Sequence, residues 1–196
     1  MGFLAKFFSG RAQKKEYKRQ QSELLDAIRN KEPNRVNEIV GRIDDLPKFL
    51  HRTVSDLDIG LFDTRLHSRL LEEAIATDDV ETFKAVFSIG QNPNHHLYSW
   101  SFGMHGGSSG YDTLLQRAMR DRKKDIALFL ARHPDLDINE AGGSSCFDTA
   151  FESKDRVLGK PLDYARQAGL DDVVQILAQR QLDQLQNEAR NRPPSP

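Results

Sequence analysis

The sequence predicts an all-α protein made of about four helix–turn–helix units that stack on one another. Two observations predict this class. One short pattern recurs four times along the chain, and each copy contains two apolar stripes at helical spacing. The 196 residues are also enough to bury a sizeable core without help from a disulfide or a metal.

The recurring pattern is anchored on an alanine, which a polar break follows after three or four residues. The anchors lie 44 to 47 residues apart, at Ala27, Ala74, Ala118 and Ala165. A leucine stands three positions before each anchor, and a second apolar run follows the break. Each copy therefore predicts a helix, a tight turn and a second helix, and neither helix could bury its stripe alone.

The fourth copy shows this pattern most fully. Its first apolar stripe lies within 162–165 and its second within 173–177. Gly169 stands between the two stripes, where the end of a helix requires a left-handed residue. Stacking of neighbouring pairs would supply the surface that each stripe needs.

Residues 160–165 read Lys-Pro-Leu-Asp-Tyr-Ala and, with the following Gly169, resemble the repeat of the ankyrin family. Lys160 and Asp163 replace the Thr and His of that family's Thr-Pro-Leu-His-x-Ala motif. Weaker matches lie at 68–94, 112–118 and 134–139. The resemblance covers about residues 22–180. It implies a short ankyrin-like solenoid of about four repeats, and it implies no chemistry.

The chain departs from the ankyrin family in its period, because ankyrin units run about 33 residues. The surplus lies between the helix pairs, in segments named the first, second and third fingers: 44–63, 92–112 and 135–159. In repeat architectures such insertions map to loops on one face, often the binding face. We therefore expect three extended hairpin or loop fingers on one side of the solenoid.

The predicted repeat domain spans 22–191, with a basic segment, 1–21, before it. Its repeats occupy 22–63, 64–111, 112–159 and 160–191. Residues 192–196 are rich in proline, which cannot continue a helix, and we expect a disordered tail.

The basic N-terminal segment is compatible with two arrangements. Phe3, Leu4, Phe7 and Phe8 fall on one helical face, and basic residues crowd the sequence up to Arg19. Such a segment either covers the exposed end of the first repeat or makes weak contact with an anionic membrane surface through residues 1–19. The apolar stretch is too short to span a bilayer, and no signal peptide is expected.

The second finger holds most of the residues that we expect to bind a partner. Tyr98, Trp100 and Phe102 alternate with smaller residues, so an extended hairpin would place them on one face. Tyr and Trp commonly anchor interfaces. The alternative is that these rings fold back on the helices and close the loop. The predicted partner-binding residues are His95, His96, Tyr98, Trp100, Phe102 and Tyr111, with Phe147 from the third finger.

No residue pattern predicts catalysis, a metal or a cofactor. The histidines of the second finger, His95, His96 and His105, lack a paired cysteine or carboxylate at metal-ligand spacing, and Cys146 is the single cysteine. The nearby glycines and serines match neither a phosphate-binding loop nor a nucleophile elbow. The competing hypothesis is an enzyme or ligand site between the second and third fingers, around these three histidines and Cys146.

Composition restricts the class of partner. The 28 Lys and Arg residues balance 29 Asp and Glu residues, and the net charge of −1 argues against nucleic-acid binding. One free thiol fits a reducing compartment. We therefore predict a cytoplasmic, monomeric module that binds a protein through its fingers and the adjacent concave face of the solenoid. Bacterial ankyrin-like proteins with lengthened repeats include toxin-neutralising immunity proteins and host-directed effectors secreted without a signal peptide, and the chain resembles either.

Overall fold

Helices dominate the computed structural model, which describes the backbone of residues 2–50, 66–103, 106–148, 153–157 and 159–191. Side chains are described in 15–47, 49–50, 66–97, 110–143 and 159–191. The chain divides into an N-terminal unit, Met1–Gln91, and a C-terminal unit, Asn92–Pro196. The predominantly helical class predicted from the sequence is confirmed. In the described part of the chain, strands occur only in the C-terminal unit.

The N-terminal unit contains two helix pairs and one short helix. In chain order the helices are α1 (Gly2–Arg29), α2 (Pro33–Gly41), α3 (Leu46–Leu50), α4 (Leu66–Thr77) and α5 (Val80–Phe87). Helix α1 packs on α4, and α2 packs on α5. The first helices of the two pairs therefore contact each other, and so do the second helices. Their buried side chains include Leu24, Ile28, Val36, Leu71 and Phe83.

Helix α1 is continuous, so it includes both the basic segment predicted at 1–21 and the first helix of the first predicted repeat. Tyr17 is buried and its ring centroid lies 5.7 Å from that of Phe49 on α3. The helix is thus packed within its unit from Tyr17 onward. The side chains of residues 1–14, on which the cap and membrane alternatives depend, lie outside the described residues, as do 51–65 of the first finger and the tail 192–196.

The C-terminal unit combines two further helix pairs with four strands. In chain order its elements are β1 (His96–Gly103), β2 (Gly106–Thr113), α6 (Leu114–Arg120), α7 (Lys124–Ala131), β3 (Gly143–Asp148), β4 (Ser153–Val157), α8 (Pro161–Ala168) and α9 (Asp171–Asn191). Helix α6 packs on α8, and α7 packs on α9, as in the N-terminal unit. The strands form one antiparallel sheet in the order β1-β2-β3-β4. This sheet is the main difference from the sequence expectation, because the second and third fingers pair with each other.

The same turn joins the two helices of every pair. The residue four positions after each anchor alanine has a left-handed backbone, with φ of 58° at Lys31, 58° at Asp78, 56° at Arg122 and 68° at Gly169. Only the last of these is glycine, although left-handed conformations are costly for other residues. The four segments that align on alanines in the sequence therefore share one turn geometry.

The anchor alanines are buried just before this turn. Each anchor is at most 1% exposed. In three of the turns, the residue after the left-handed position donates its backbone N–H to the carbonyl of the anchor, which is the Schellman pattern at the end of a helix. The three bonds run from Glu32 to Ala27, from Lys123 to Ala118 and from Leu170 to Ala165, at 3.0, 2.8 and 3.0 Å.

The turn geometry predicts that Arg122→Gly raises the free energy of unfolding by about 0.5 to 1 kcal/mol, because glycine adopts positive φ without steric cost. The control is Arg132→Gly. Arg132 is also exposed and ends α7, but with φ of −85°, so glycine relieves no strain there and lowers stability. Urea unfolding followed by circular dichroism measures both changes. Equal losses in the two variants would contradict a strained turn.

Candidate functional site

The sheet formed by the second and third fingers has a regular register. Tyr98 of β1 pairs with Tyr111 of β2, and Tyr111 pairs with Gly143 of β3. Strand β4 continues the sheet beside β3, with Gly143 paired to Val157. Residues opposite each other across an antiparallel pair lie on the same face, as do residues two apart in one strand. The register therefore assigns each strand position to one of two faces.

Six of the seven predicted partner-binding residues occupy positions on one face, named here the aromatic face. These positions are His96, Tyr98, Trp100 and Phe102 on β1, Tyr111 on β2 and Phe147 on β3. Small residues occupy the neighbouring positions of the same face: Gly107 and Ser109 on β2, and Gly143 and Ser145 on β3. The register thus brings together aromatic positions from two fingers that are separate in the sequence.

The opposite face has a different composition. Among the described strand positions on this face none is aromatic, and β1 and β2 contribute mainly serine and glycine. At its base, Leu97 and the paired Asp112 are buried, with 1% and 3% exposure. The position of Cys146 also lies on this face, whereas that of His96 lies on the aromatic face. The register therefore does not support a metal site that combines Cys146 with His96.

Two side chains of the aromatic face are described, and they contact each other. The ring centroids of His96 and Tyr111 lie 5.0 Å apart, with the planes tilted by 33°. His96 Nε2 lies 2.7 Å from Glu140 Oε1, and these two side chains are 28% and 30% exposed. A Cβ on Gly143 would come 2.5 Å from Tyr111 Cε1, so the ring needs glycine at this position. His96 and Tyr111 are thus held in place while remaining partly accessible.

His95 lies just before β1 and is the predicted binding residue that is outside the sheet. It is half-buried, and its backbone N–H donates to the carbonyl of Asn92 at 3.3 Å. The adjacent Asn94 joins the beginnings of the two fingers. Its Nδ2 donates to the carbonyl of Asp135 at 2.9 Å, and its Oδ1 accepts from the backbone N–H of Asp137 at 2.8 Å.

A buried glutamine joins the sheet to α6. Thr113, the last residue of β2, caps α6 by accepting a bond from the backbone N–H of Gln116, and Gln116 Oε1 accepts from the backbone N–H of Thr113. Gln116 Nε2 donates to the carbonyls of Glu140 and Gly159, at 3.4 and 3.2 Å. The side chain of Gln116 is fully buried. It therefore fixes the end of the second finger and both sides of the third.

An ion pair between a buried carboxylate and an exposed arginine lies beside this junction. Asp112 Oδ2 is 2.5 Å from Arg120 Nη1, whereas Asp112 Oδ1 is buried without a hydrogen-bond partner among the described residues. Burial raises the pKa of Asp112, and the charge of Arg120 opposes this rise only in part. Burial and then the charge of Asp112 raise the pKa of Tyr164 on α8. The base of the sheet thus contains a carboxylate that is costly to keep charged.

Arg180 of α9 closes the end of α7 and the loop that begins the third finger. Its Nη1 donates to the carbonyls of Ala131 and His133, at 3.0 and 2.6 Å. Its Nη2 donates to the carbonyls of Pro134 and Leu136, at 2.9 and 3.2 Å. The end of a helix leaves such carbonyls without partners, and a cation is favourable there.

A cleft of about 690 Å³ lies between this loop and the C-terminal half of α9. Its lining combines Leu136 and Ile138 with amide and carboxylate side chains, such as those of Asn139, Gln184 and Glu188. Among the residues that line it there is no Ser, Cys or His. The residues that line the cleft therefore offer no hydroxyl or thiol nucleophile and no imidazole base.

Comparison with known proteins assigns no family, because the chain matches no protein-family model and no curated protein. No helix within the described ranges is long and apolar enough to cross a bilayer. In the same ranges, no three His, Cys, Asp or Glu side chains converge as metal ligands would. His105 and the side chain of Cys146 lie outside those ranges. The hypothesis of function therefore depends on the geometry of the sheet.

Four residues that organise the site were not predicted from the sequence: Asn94, Asp112, Gln116 and Arg180. One signal was present, because Thr113 and Gln116 match the Thr-x-x-Gln pattern of a capping box. The other contacts have no local signature. Arg180, for example, binds carbonyls 44 to 49 residues away. Every residue has a backbone carbonyl, so no residue type in the sequence indicates such a partner.

Gln116→Ala is expected to lower the free energy of unfolding by about 2 to 3 kcal/mol, because it leaves buried N–H and C=O groups without partners. The matched control is Gln175→Ala, at an exposed position of α9, where a change within about 0.5 kcal/mol is expected. Urea denaturation of both variants tests the difference. If Gln116→Ala cost no more than the control, the amide would not be the junction of the fingers.

Stability should also report on Asp112 as pH changes. Its pKa is raised in the folded protein above the ordinary value of 3.8, so the folded state binds this proton more tightly than the unfolded state. The wild type should therefore gain stability relative to Asp112→Asn as the pH falls through the raised pKa toward 3.8. The same comparison in an Arg120→Met background should give a larger gain, because the opposing charge is absent. A relative loss on acidification would contradict this account.

Proposed function

We propose that this chain is a protein-binding module that contacts its partner through the aromatic face of the sheet. The observation that carries the proposal is the register, which places the positions of Tyr98, Trp100, Phe102, Tyr111 and Phe147 on one face. Aromatic side chains concentrated in one patch are typical of the centre of protein interfaces, since they bury large areas. We find no catalytic constellation that competes with this interpretation in the described residues.

The base of the sheet supports a preorganised binding surface. Gln116, Asn94 and the contact between His96 and Glu140 each link the second finger to the third by hydrogen bonds. A surface that is ordered before binding loses less conformational entropy when the partner docks. The fingers are therefore suited to recognition by a fixed surface.

The chemistry of the face indicates the class of partner. Aromatic rings bind apolar side chains and the guanidinium groups of arginine, and Tyr and His add polar groups at the margin. The small positions Gly107, Ser109 and Ser145 separate the aromatic positions and leave space for side chains of a partner. A folded protein with an exposed apolar and arginine-containing patch fits this face best.

We propose that the helix pairs form the scaffold, as a short ankyrin-like solenoid. The common left-handed turn and the packing of α1 on α4 and of α6 on α8 support this within each unit. A cytoplasmic immunity protein and an effector would both use such a scaffold and such a face. A toxin gene beside the gene of this protein would favour the immunity role, and translocation by a secretion system would favour the effector role.

The binding experiment starts with the full chain immobilised and exposed to a lysate of its native organism or host, followed by mass spectrometry and purification of the captured protein. Trp100→Ala should weaken the complex at least about tenfold, because loss of an aromatic anchor commonly costs 2 kcal/mol or more. Ser101→Ala is the matched control, since it is the next position of β1 and lies on the opposite face. Its affinity should equal that of the wild type.

Melting temperatures and circular dichroism of both variants separate binding from folding. The proposal requires that Trp100→Ala melts close to the wild type while its affinity falls. If Trp100→Ala lost folded structure, the ring would be part of the core, and if it bound like the parent, the aromatic face would not be the binding surface.

A further inference from the structure

The C-terminal half of α9 presents an apolar surface that the proposed function does not use. Leu182 and Leu185 are 54% and 56% exposed, and they are the large hydrophobic residues that are exposed in the described part of the chain. Helix α9 has 21 residues, whereas α5 and α7, the second helices of two other pairs, have 8 each. The two leucines lie on this additional length.

The exposed leucines belong to a regular stripe. Ala178, Leu182, Leu185 and Ala189 follow one another at intervals of four, three and four residues, which is the spacing of a coiled-coil seam. At 100° per residue, this α9 stripe lies on the side of the helix away from Val173, Leu177 and Arg180, which face the unit. The C-terminal unit therefore leaves Leu182, Leu185 and Ala189 exposed and covers Ala178 only in part.

We propose that the α9 stripe binds the same stripe of a second copy of this chain, with the two helices antiparallel. This arrangement places Leu182 opposite Leu185 of the second copy, and Ala178 opposite Ala189, so large residues meet large ones and small meet small. Each apolar layer of the seam is then complete.

The charges beside the stripe favour a second copy as the occupant. The flanking positions of the seam are Gln179, Gln181, Gln186 and Glu188. Antiparallel pairing brings Gln179 beside Gln186 and Gln181 beside Glu188, so no like charges meet and the amides can donate to the carboxylate. Residues at these positions set partner choice and orientation in coiled coils, and three of the four are uncharged here, so no charge repulsion opposes pairing with a second copy. Antiparallel helices also place their dipoles in the favourable relative orientation.

This inference is independent of the aromatic face, and it departs from the monomer expected from the sequence. Periodicity showed that α9 has an apolar side, but it could not show that the rest of the unit leaves that side exposed. Binding by the aromatic face and association through the α9 stripe can be tested separately, because they use different elements.

Sedimentation of the full chain over a range of concentrations provides the first test. The wild type should approach the mass of two chains as concentration rises, whereas Leu182→Gln/Leu185→Gln should remain at the mass of one chain. The control is Asn187→Ala, at an exposed position on the opposite side of α9, which should associate like the wild type. Circular dichroism verifies that the variants fold. A wild type that stays monomeric at every concentration would overturn the proposal and leave the stripe to a protein of different sequence.

Disulfide trapping tests the orientation, in a Cys146→Ser background so that the single native thiol does not interfere. An equimolar mixture of Ala178→Cys and Ala189→Cys should form a disulfide-linked dimer on oxidation, because the two positions lie opposite each other. Ala178→Cys alone should not, since eleven residues of helix separate the equivalent positions by about 16 Å, beyond the reach of a disulfide. Efficient crosslinking of Ala178→Cys alone would show parallel helices and overturn the antiparallel arrangement.

Discussion

The buried amide of Gln116 is the contact on which the C-terminal unit depends. Its Oε1 completes the cap of α6 by accepting from the backbone N–H of Thr113, and its Nε2 donates to the carbonyls of Glu140 and Gly159 in the third finger. Buried polar groups must be paired, so the chain segments that carry these groups cannot separate without a cost in free energy. Since the end of β2 and both sides of the third finger meet at one side chain, β2 and β3 lie close enough to pair. The junction thus lies at the base of the continuous sheet.

The helix pairs could be predicted because their signals are local. The spacing of leucine and alanine and the turn four residues beyond each anchor lie within a single short segment, such as 160–177. The sheet depends on contacts between distant segments. Tyr111 pairs with Gly143 across more than thirty residues, and the paired stretches of β2 and β3 are rich in glycine and serine, which carry no apolar alternation. The pairing of the two fingers therefore could not be predicted from apolar periodicity.

The candidate site was predictable to a similar extent. Alternation along β1 predicts that Tyr98, Trp100 and Phe102 share a face, and the register agrees with this. The addition of Phe147 to the same face requires the β2–β3 pairing, so its common face could not be inferred from the sequence. His95 was predicted as a binding residue from its residue type alone. It precedes β1, so the register assigns it to neither face of the sheet. Helix α9 was also only partly predictable. Its apolar spacing is visible in the sequence, but the sequence does not show that Arg180 binds the end of α7 or that the leucines beyond Arg180 are exposed.

The sheet also has two unequal edges. In the described strands the outer ones are β1 and β4, and β4 reads Ser-Lys-Asp-Arg-Val, with three charges in five residues. Charged edge strands resist the addition of a further strand, and natural sheets use them against aggregation. Strand β1 reads His-Leu-Tyr-Ser-Trp-Ser-Phe-Gly and has no Lys, Arg, Asp or Glu. The charges of β4 therefore oppose the addition of a strand at that edge, whereas the sequence of β1 carries no such protection.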